Sequence, residues 1–162
     1  MDIETREKIC CFTGHRKIDG NSMQMLSILL DKALASLVSN GVNVFRAGGA
    51  MGFDTLAALK VIELREENKN IRLELFLPCR EQADNWDMRS QEYYGYILSK
   101  ADSVIYVRDT YQKGCMLERN RKMVDGSDFC IGFCTTDKGG SAYTLNYAKN
   151  HNVRVINLAT MM

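Results

Sequence analysis

Along the chain, short apolar runs alternate with longer stretches in which apolar residues recur every three to four positions. The runs Lys8–Thr13, Val42–Ala47, Ile71–Leu77, Ser103–Val107, Phe129–Cys134 and Val153–Asn157 carry the Val, Ile, Leu and Phe content of buried strands, which predicts six of them. The stretches Ser22–Asn40, Phe53–Asn68, a segment within Glu81–Lys100, Cys115–Asp125 and Ser141–Asn150 predict helices. In the first of these, Leu26, Leu29, Leu30, Ala33, Leu34 and Leu37 make a stripe along one face. Ser22 reads as its N-cap and Gly41 as its C-terminal stop.

Strands that alternate with helices predict an α/β fold: a Rossmann-like, doubly wound, mainly parallel sheet with helices on both faces. Residues 1–162 read as a single domain, with no repeat, linker or low-complexity tract. Ligands of such sheets sit outside the carboxyl ends of the strands, where the strand order reverses. Every loop of note follows a strand: Gly14-His15-Arg16, Gly48–Asp54, Pro78-Cys79-Arg80, Arg108–Gly114 and Thr135–Ser141. If the order reverses beside the first strand, the Gly14 and Arg108–Gly114 loops are expected to flank the crevice.

Composition narrows the partners. A net charge of +1, from 21 basic and 20 acidic residues, argues against a protein that tracks a nucleic-acid backbone. No run approaches the roughly 18 apolar residues of a membrane span, and the charged start Met1–Glu7 is no secretory signal, so a cytoplasmic protein is expected. Six cysteines without a CxxC pair, and only two histidines, lead us to expect reduced thiols, no metal site and no bound cofactor.

Two glycine turns carry the candidate chemistry. Phe45-Arg46-Ala47-Gly48-Gly49-Ala50-Met51-Gly52-Phe53-Asp54-Thr55 and Gly139-Gly140-Ser141-Ala142-Tyr143-Thr144 each lie between an apparent strand and an apparent helix. Glycine lets backbone pass close to a ligand, and a helix N-terminus offers unpaired N–H groups to an anion. Neither turn is a GxGxxG fingerprint or a P-loop. Asp54 repels phosphate, so its readings are a hydrogen-bond acceptor for ribose hydroxyls or a stabilising charge in the first helical turn. Arg16 offers a fork for phosphate or carboxylate, and His15 a ligand contact, an acid–base group or a surface cap. In the helix Met116–Asp125, Arg119 and Arg121 cannot face the same way, so one of them reaches a pocket or both are solvated. Trp86 reads first as a core anchor and second as a stacking surface. Cys79 and Cys115 sit near strand ends with no base nearby in sequence.

Thr13-Gly14-His15-Arg16, Gly48-Gly49-Ala50-Met51-Gly52-Phe53-Asp54, Pro78-Cys79-x-x-Gln82-x-x-x-Trp86, Arg119-Asn120-x-x-Met123-Val124-Asp125-x-Ser127-Asp128 and Gly139-Gly140-Ser141-x-x-Thr144 together resemble the YpsA-like branch of the SLOG superfamily, over about residues 8–157. The resemblance implies a Rossmann-like domain that binds a nucleotide or nucleotide-derived small molecule, as a sensor or regulatory protein. It implies no particular reaction, and it leaves a homodimer open. The ligand-binding candidates are Gly14, His15, Arg16, Gly48, Gly49, Gly52, Asp54, Arg119, Gly139, Gly140, Ser141 and Thr144.

Two relatives of that branch set the alternatives. LOG-type phosphoribohydrolases cleave the N-glycosidic bond of nucleoside monophosphates, using an Arg-Lys pair and a Pro-Gly-Gly-x-Gly-Thr-x-x-Glu turn. Here Asn120 stands in place of the lysine, and the acidic position falls at Asn146 or Tyr147. Without that carboxylate, stabilisation of a positively charged ribose would fall to Asp54 or Asp137, with Arg119 on the phosphate. Arg119 and Asp54 are therefore the catalytic candidates if the protein is an N-glycosidic hydrolase. The second relative, DprA, applies a SLOG-type domain to single-stranded DNA, for which a basic groove with aromatic platforms is expected. Binding of a small nucleotide ranks above both.

Overall fold

The apolar runs assemble into one sheet whose inner strands are buried on both sides, while the edge runs at 103–106 and 154–157 stay partly exposed. The computed structural model describes residues 6–162. Its strands are β1 (Lys8–Gly14), β2 (Val42–Ala47), β3 (Arg72–Leu77), β4 (Ser103–Tyr106), β5 (Phe129–Phe133) and β6 (Arg154–Asn157). Its helices are α1 (Gly20–Ser39), α2 (Phe53–Glu67), α3 (Met88–Lys100), α4 (Cys115–Val124) and α5 (Gly140–Asn150), and a 3-10 turn spans Leu158–Met161. All ladders are parallel, in the order β4-β3-β2-β1-β5-β6.

Side-chain alternation divides the core in two. Cys10 and Phe12 of β1 and Ile131 and Phe133 of β5 pack with Leu26, Leu30 and Leu34 of α1, Phe53, Ala57 and Val61 of α2, and Ile97 of α3. Cys11 and Cys130 point the other way, to Met123 and Val124 of α4 and Ala142, Leu145 and Ala148 of α5. The chain steps outward from β1 to β4 and then returns past β1 to β5. Right-handed crossovers in opposite directions put α1–α3 on one face and α4–α5 on the other. This is the doubly wound, Rossmann-like architecture, with every ladder parallel.

Strand order reverses between β1 and β5. The loops that flank the crevice are therefore those after β1 and β5. The Arg108–Gly114 loop follows β4, the edge strand, and does not flank it. What that loop delivers is α4, which must cross back over the sheet and packs against β3 and β1 on the way. Helix starts also differ in detail from the sequence reading. Asp19, not Ser22, caps α1, its carboxylate accepting from the Asn21 N–H at 3.1 Å. The segment within Glu81–Lys100 becomes helical only after Asp87, which accepts from Ser90 N–H at 3.2 Å. Gly41 does follow the end of α1, at φ 94°.

One close approach fixes the loops at the carboxyl edge. Gly52 precedes α2 with φ 75° and ψ −119°, a conformation open in practice to glycine alone. A Cβ there would lie 2.3 Å from the carbonyl oxygen of Arg16. The next residue, Phe53, donates its N–H to the carbonyl of His15 at 3.0 Å, and a Cβ on Gly14 would lie 2.6 Å from the Phe53 side chain. The β2 turn is thus pressed against the β1 loop, backbone on backbone. Gly52→Ala is expected to lower unfolding free energy by at least about 2 kcal/mol, from dihedral strain plus overpacking. Gly95→Ala, in α3 with nothing within 4 Å of the added methyl, is expected to raise it by about 0.5–1 kcal/mol. Denaturant midpoints of the two variants check this, and a Gly52→Ala protein as stable as the parent contradicts the packing account.

Candidate ligand-binding site

A cavity of about 340 Å³ opens where β1 and β5 part. Thr13, Gly14, His15 and Arg16 line it from β1 and its loop, and Ala50 and Asp54 from the β2 turn and α2. Met116, Leu117, Arg119 and Asn120 come from α4, and Thr136, Lys138, Gly139, Gly140 and Ser141 from the β5–α5 segment. Eight of the sequence candidates meet there: Gly14, His15, Arg16, Asp54, Arg119, Gly139, Gly140 and Ser141.

Arg119 lies at the base of this cavity. Positions 115, 119 and 123 of α4 turn inward together, so Arg119 is buried while Lys122 is exposed. Arg121 reaches outward to the Tyr143 hydroxyl at 3.3 Å. Only 3% of Arg119 is exposed. Its Nη1 donates to the carbonyl of Gly48, to that of Phe76 at 3.3 Å and to Gln82 Oε1 at 3.4 Å. Its Nε donates to Asn120 Oδ1 at 2.8 Å. Burial pulls its pKa down and the Asp54 carboxylate pushes it back, but a guanidinium keeps its charge in any case. Asp54 is 6% exposed, and its Oδ2 accepts from Ala50 N–H at 3.4 Å. Burial holds the Asp54 carboxyl above its ordinary value, against the pull of Arg119.

Gly48 separates these two charges: a Cβ there would come 2.7 Å from Arg119 Nη1 and 2.8 Å from Asp54 Oδ2. A Cβ on Gly49 would come 2.6 Å from Leu77 Cδ2. Gly48, Gly49 and Gly52 therefore sit behind the cavity wall, where they let the turn pack on Arg119, Leu77 and the β1 loop. Thr144 is also set back from the lining. Its Oγ1 donates to the carbonyl of Gly140 at 2.8 Å and accepts from Asn120 Nδ2 at 2.9 Å. Arg119, Asn120, Thr144 and Gly140 thus form one hydrogen-bonded chain from α4 to the start of α5.

The rim is held across the strand reversal. His15 Nε2 accepts from Thr135 N–H at 2.9 Å and contacts Thr135 Oγ1 at 3.0 Å, which puts the proton of the neutral ring on Nδ1. Arg16 Nη2 donates to Met116 Sδ at 3.7 Å. Gly139 and Gly140 open α5 with no side-chain cap, leaving the first N–H groups to the cavity. Asn146 is exposed, and Tyr147 donates its hydroxyl to Asp125 at 2.8 Å. Among the described residues Asp54 is the only carboxylate in the lining, and Asp137 is outside it. Trp86 is half-buried, packs edge-on to Tyr94 at 5.3 Å and lies outside the cavity lining. Burial pushes the Cys79 thiol up, away from the thiolate a nucleophile needs. Met116 and Asn120 escaped the site list drawn from sequence. The spacing of Met116 three residues before Arg119 is the signal that places it on the same helix face, whereas Asn120, one residue on, is brought in by its bond to Arg119 Nε.

The raised Asp54 pKa has a testable sign. The folded state holds this proton more tightly than the unfolded chain, so native stability falls as pH rises above the ordinary value of 3.8 toward the folded one. Asp54→Asn is expected to gain stability relative to the parent between pH 3 and pH 7 in denaturant unfolding. A relative loss over that interval would mean that attraction to Arg119 outweighs desolvation.

The model of the YpsA family, described as the YspA SLOG family, matches residues 10–161. The UPF0398 protein of Bacillus cereus strain B4264 is 28% identical over 152 residues, covering 88% of this chain and 83% of its own. The UPF0398 protein of Bacillus pumilus strain SAFR-032 is 27% identical over 164 residues, covering 95% and 88%. Among solved structures, DNA processing protein A from Helicobacter pylori, described for its single-stranded DNA binding mode, superposes on 94% of this chain with a TM-score of 0.65 at 21% identity. DprA from Streptococcus pneumoniae does so on 92% with a TM-score of 0.64 at 15% identity. This chain spans 65% and 49% of the length of those two proteins. At such identities the likeness establishes the shared fold. The match along nearly the whole chain settles descent: this protein belongs to the YpsA, or YspA SLOG, family.

Proposed function

We propose that this protein binds a nucleotide or nucleotide-derived small molecule in the cavity between β1 and β5, acting as a sensor or regulatory protein. The observation that carries the reading is the buried pair of Arg119 and Asp54 facing a cavity at the strand reversal. An anion is drawn by Arg16, Arg119, Lys138 and the uncapped start of α5, while Asp54 accepts hydrogen bonds from sugar hydroxyls. The volume of about 340 Å³ falls at the low end of the roughly 300–1,000 Å³ typical of small-molecule sites. Hydrolysis of a glycosidic bond would rest on Asp54 alone, so binding ranks above it.

The fold shared with DprA favours a second reading, a segment of single-stranded DNA in place of a free nucleotide. Against it, the net charge is +1, and no Phe, Tyr or Trp lines the cavity among the described residues. Single-strand binding depends on a basic groove and on stacking worth about 1–3 kcal/mol per base.

Calorimetric titration with AMP, ADP-ribose, NAD, cyclic nucleotides and oligothymidylate separates these readings. Saturable binding of at least one small nucleotide is expected, weakened at least about tenfold by Arg16→Ala with the thermal midpoint unchanged, since Arg16 is exposed. The bound nucleoside monophosphate is expected to be recovered intact. Oligothymidylate binding with small nucleotides silent at millimolar concentration replaces the first reading with the second. Release of free base and ribose 5-phosphate, abolished by Asp54→Asn, replaces it with the hydrolase.

A further inference from the structure

A second cavity, of about 400 Å³, adjoins the first on the side of the β3–α3 segment. Cys79, Glu81, Gln82, Asp84, Asn85 and Tyr111 line it, together with Met116, which also lines the cavity between β1 and β5. Met116, an unbranched side chain, is thus the one residue common to both linings. Its sulfur meets both cations in soft contacts, Arg16 Nη2 at 3.7 Å and Arg119 Nη2 at 3.9 Å. A thioether with three rotatable bonds adapts to a ligand more readily than any other apolar side chain. Beneath it the base is continuous, because Gln82 Oε1 accepts from Arg119 Nη1 at 3.4 Å and Gln82 Nε2 donates to the Gly48 carbonyl at 3.3 Å.

The two spaces differ in charge. The first carries Arg16, Arg119 and Lys138 against the one carboxylate of Asp54. The second carries Glu81 and Asp84, the amides of Gln82 and Asn85, and no cationic side chain in its lining. One oxygen of Glu81 accepts from Tyr111 N–H at 3.1 Å, which leaves the carboxylate's other lone pairs free and fixes the Tyr111 backbone at the cavity mouth. Tyr111 is 61% exposed and is the only aromatic ring in either lining among the described residues, the His15 imidazole aside. A flat ring beside hydrogen-bond acceptors suits a heterocycle that offers N–H donors.

We infer that the two cavities form one elongated site spanning Met116, with the phosphorylated ribose between β1 and β5 and an amino-bearing nucleobase in the second cavity against Tyr111. This rests on the nucleotide reading above and adds an orientation and a base preference to it. The carboxylates of Glu81 and Asp84 accept from an exocyclic amine and disfavour a carbonyl at the same place, since two acceptors facing each other leave both unpaired.

Calorimetric titration of the full chain with ribose 5-phosphate, AMP and IMP tests the assignment. AMP is expected to bind at least about tenfold more tightly than ribose 5-phosphate and than IMP, and Tyr111→Ala to erase most of its advantage over ribose 5-phosphate. Tyr93→Ala, exposed and in the lining of neither cavity, serves as the surface control and is expected to leave AMP affinity unchanged. Ribose 5-phosphate binding as tightly as AMP, or full AMP affinity in Tyr111→Ala, overturns the second cavity as a base site while the nucleotide reading stands. Equal affinities for AMP and IMP overturn the amino preference. Silence of all three ligands overturns this inference, whereas the nucleotide reading falls only when ADP-ribose, NAD and cyclic nucleotides are silent as well.

Discussion

The carboxyl edge of this protein is organised around a buried positive charge. A guanidinium with 3% exposure must find acceptors inside the protein, and Arg119 finds them on three different elements: the carbonyl of Gly48 after β2, that of Phe76 in β3, and the amide of Gln82 in the turns before α3. Burying an unpaired charge costs several kcal/mol, so these contacts are obligatory and not ornamental. They draw α4 down onto the ends of β2 and β3. They also exclude any side chain at Gly48, whose Cβ would occupy the space between Arg119 and Asp54. Neutral carbonyl partners leave the positive charge uncompensated, and Asp54, itself starved of solvent, supplies the nearest opposing one.

From this anchor the site follows. The Asn120–Thr144 bond at 2.9 Å passes the position of α4 to α5, and so aims the uncapped α5 terminus at the same cavity as Arg119. On the other side, the pressing of Gly52 onto the Arg16 carbonyl sets where the β1 loop runs. A cation, an anion and a free helix end are thereby held on three separately braced elements, which is the preorganisation a polar ligand needs.

Much of this was legible in the chain. The inner strands were readable because burial on both faces makes them continuous apolar runs, and α1 because its leucines recur at helical spacing. Its start was less so: Asp19, Asn21 and Ser22 are all competent caps, and only tertiary geometry selects Asp19. Reversal beside β1 could be considered from the chain, but nothing local reveals that β5, and not β4, is the strand on its other side. The Arg108–Gly114 loop was therefore expected at a crevice that β4 does not border. The glycines show the same limit from another side. Their need for close approach was readable, but not the identity of what approaches; at Gly14, Gly48 and Gly52 it is Phe53, Arg119 and the Arg16 backbone. Arg119 was singled out by its motif, whereas Met116, one turn earlier, carried no motif to mark it.

The central claim is that a nucleotide enters between β1 and β5. Its most direct test is a ¹H–¹⁵N correlation spectrum of the labelled protein titrated with AMP. The account predicts shifts concentrated at the backbone amides of Gly14, Ala50, Gly139, Gly140 and Ser141, which line the cavity, with the exposed edge residues Val104 and Ile105 of β4 unmoved. Shifts centred instead on the groove beside Tyr93 and Tyr96, or a spectrum unchanged at millimolar AMP, would contradict it.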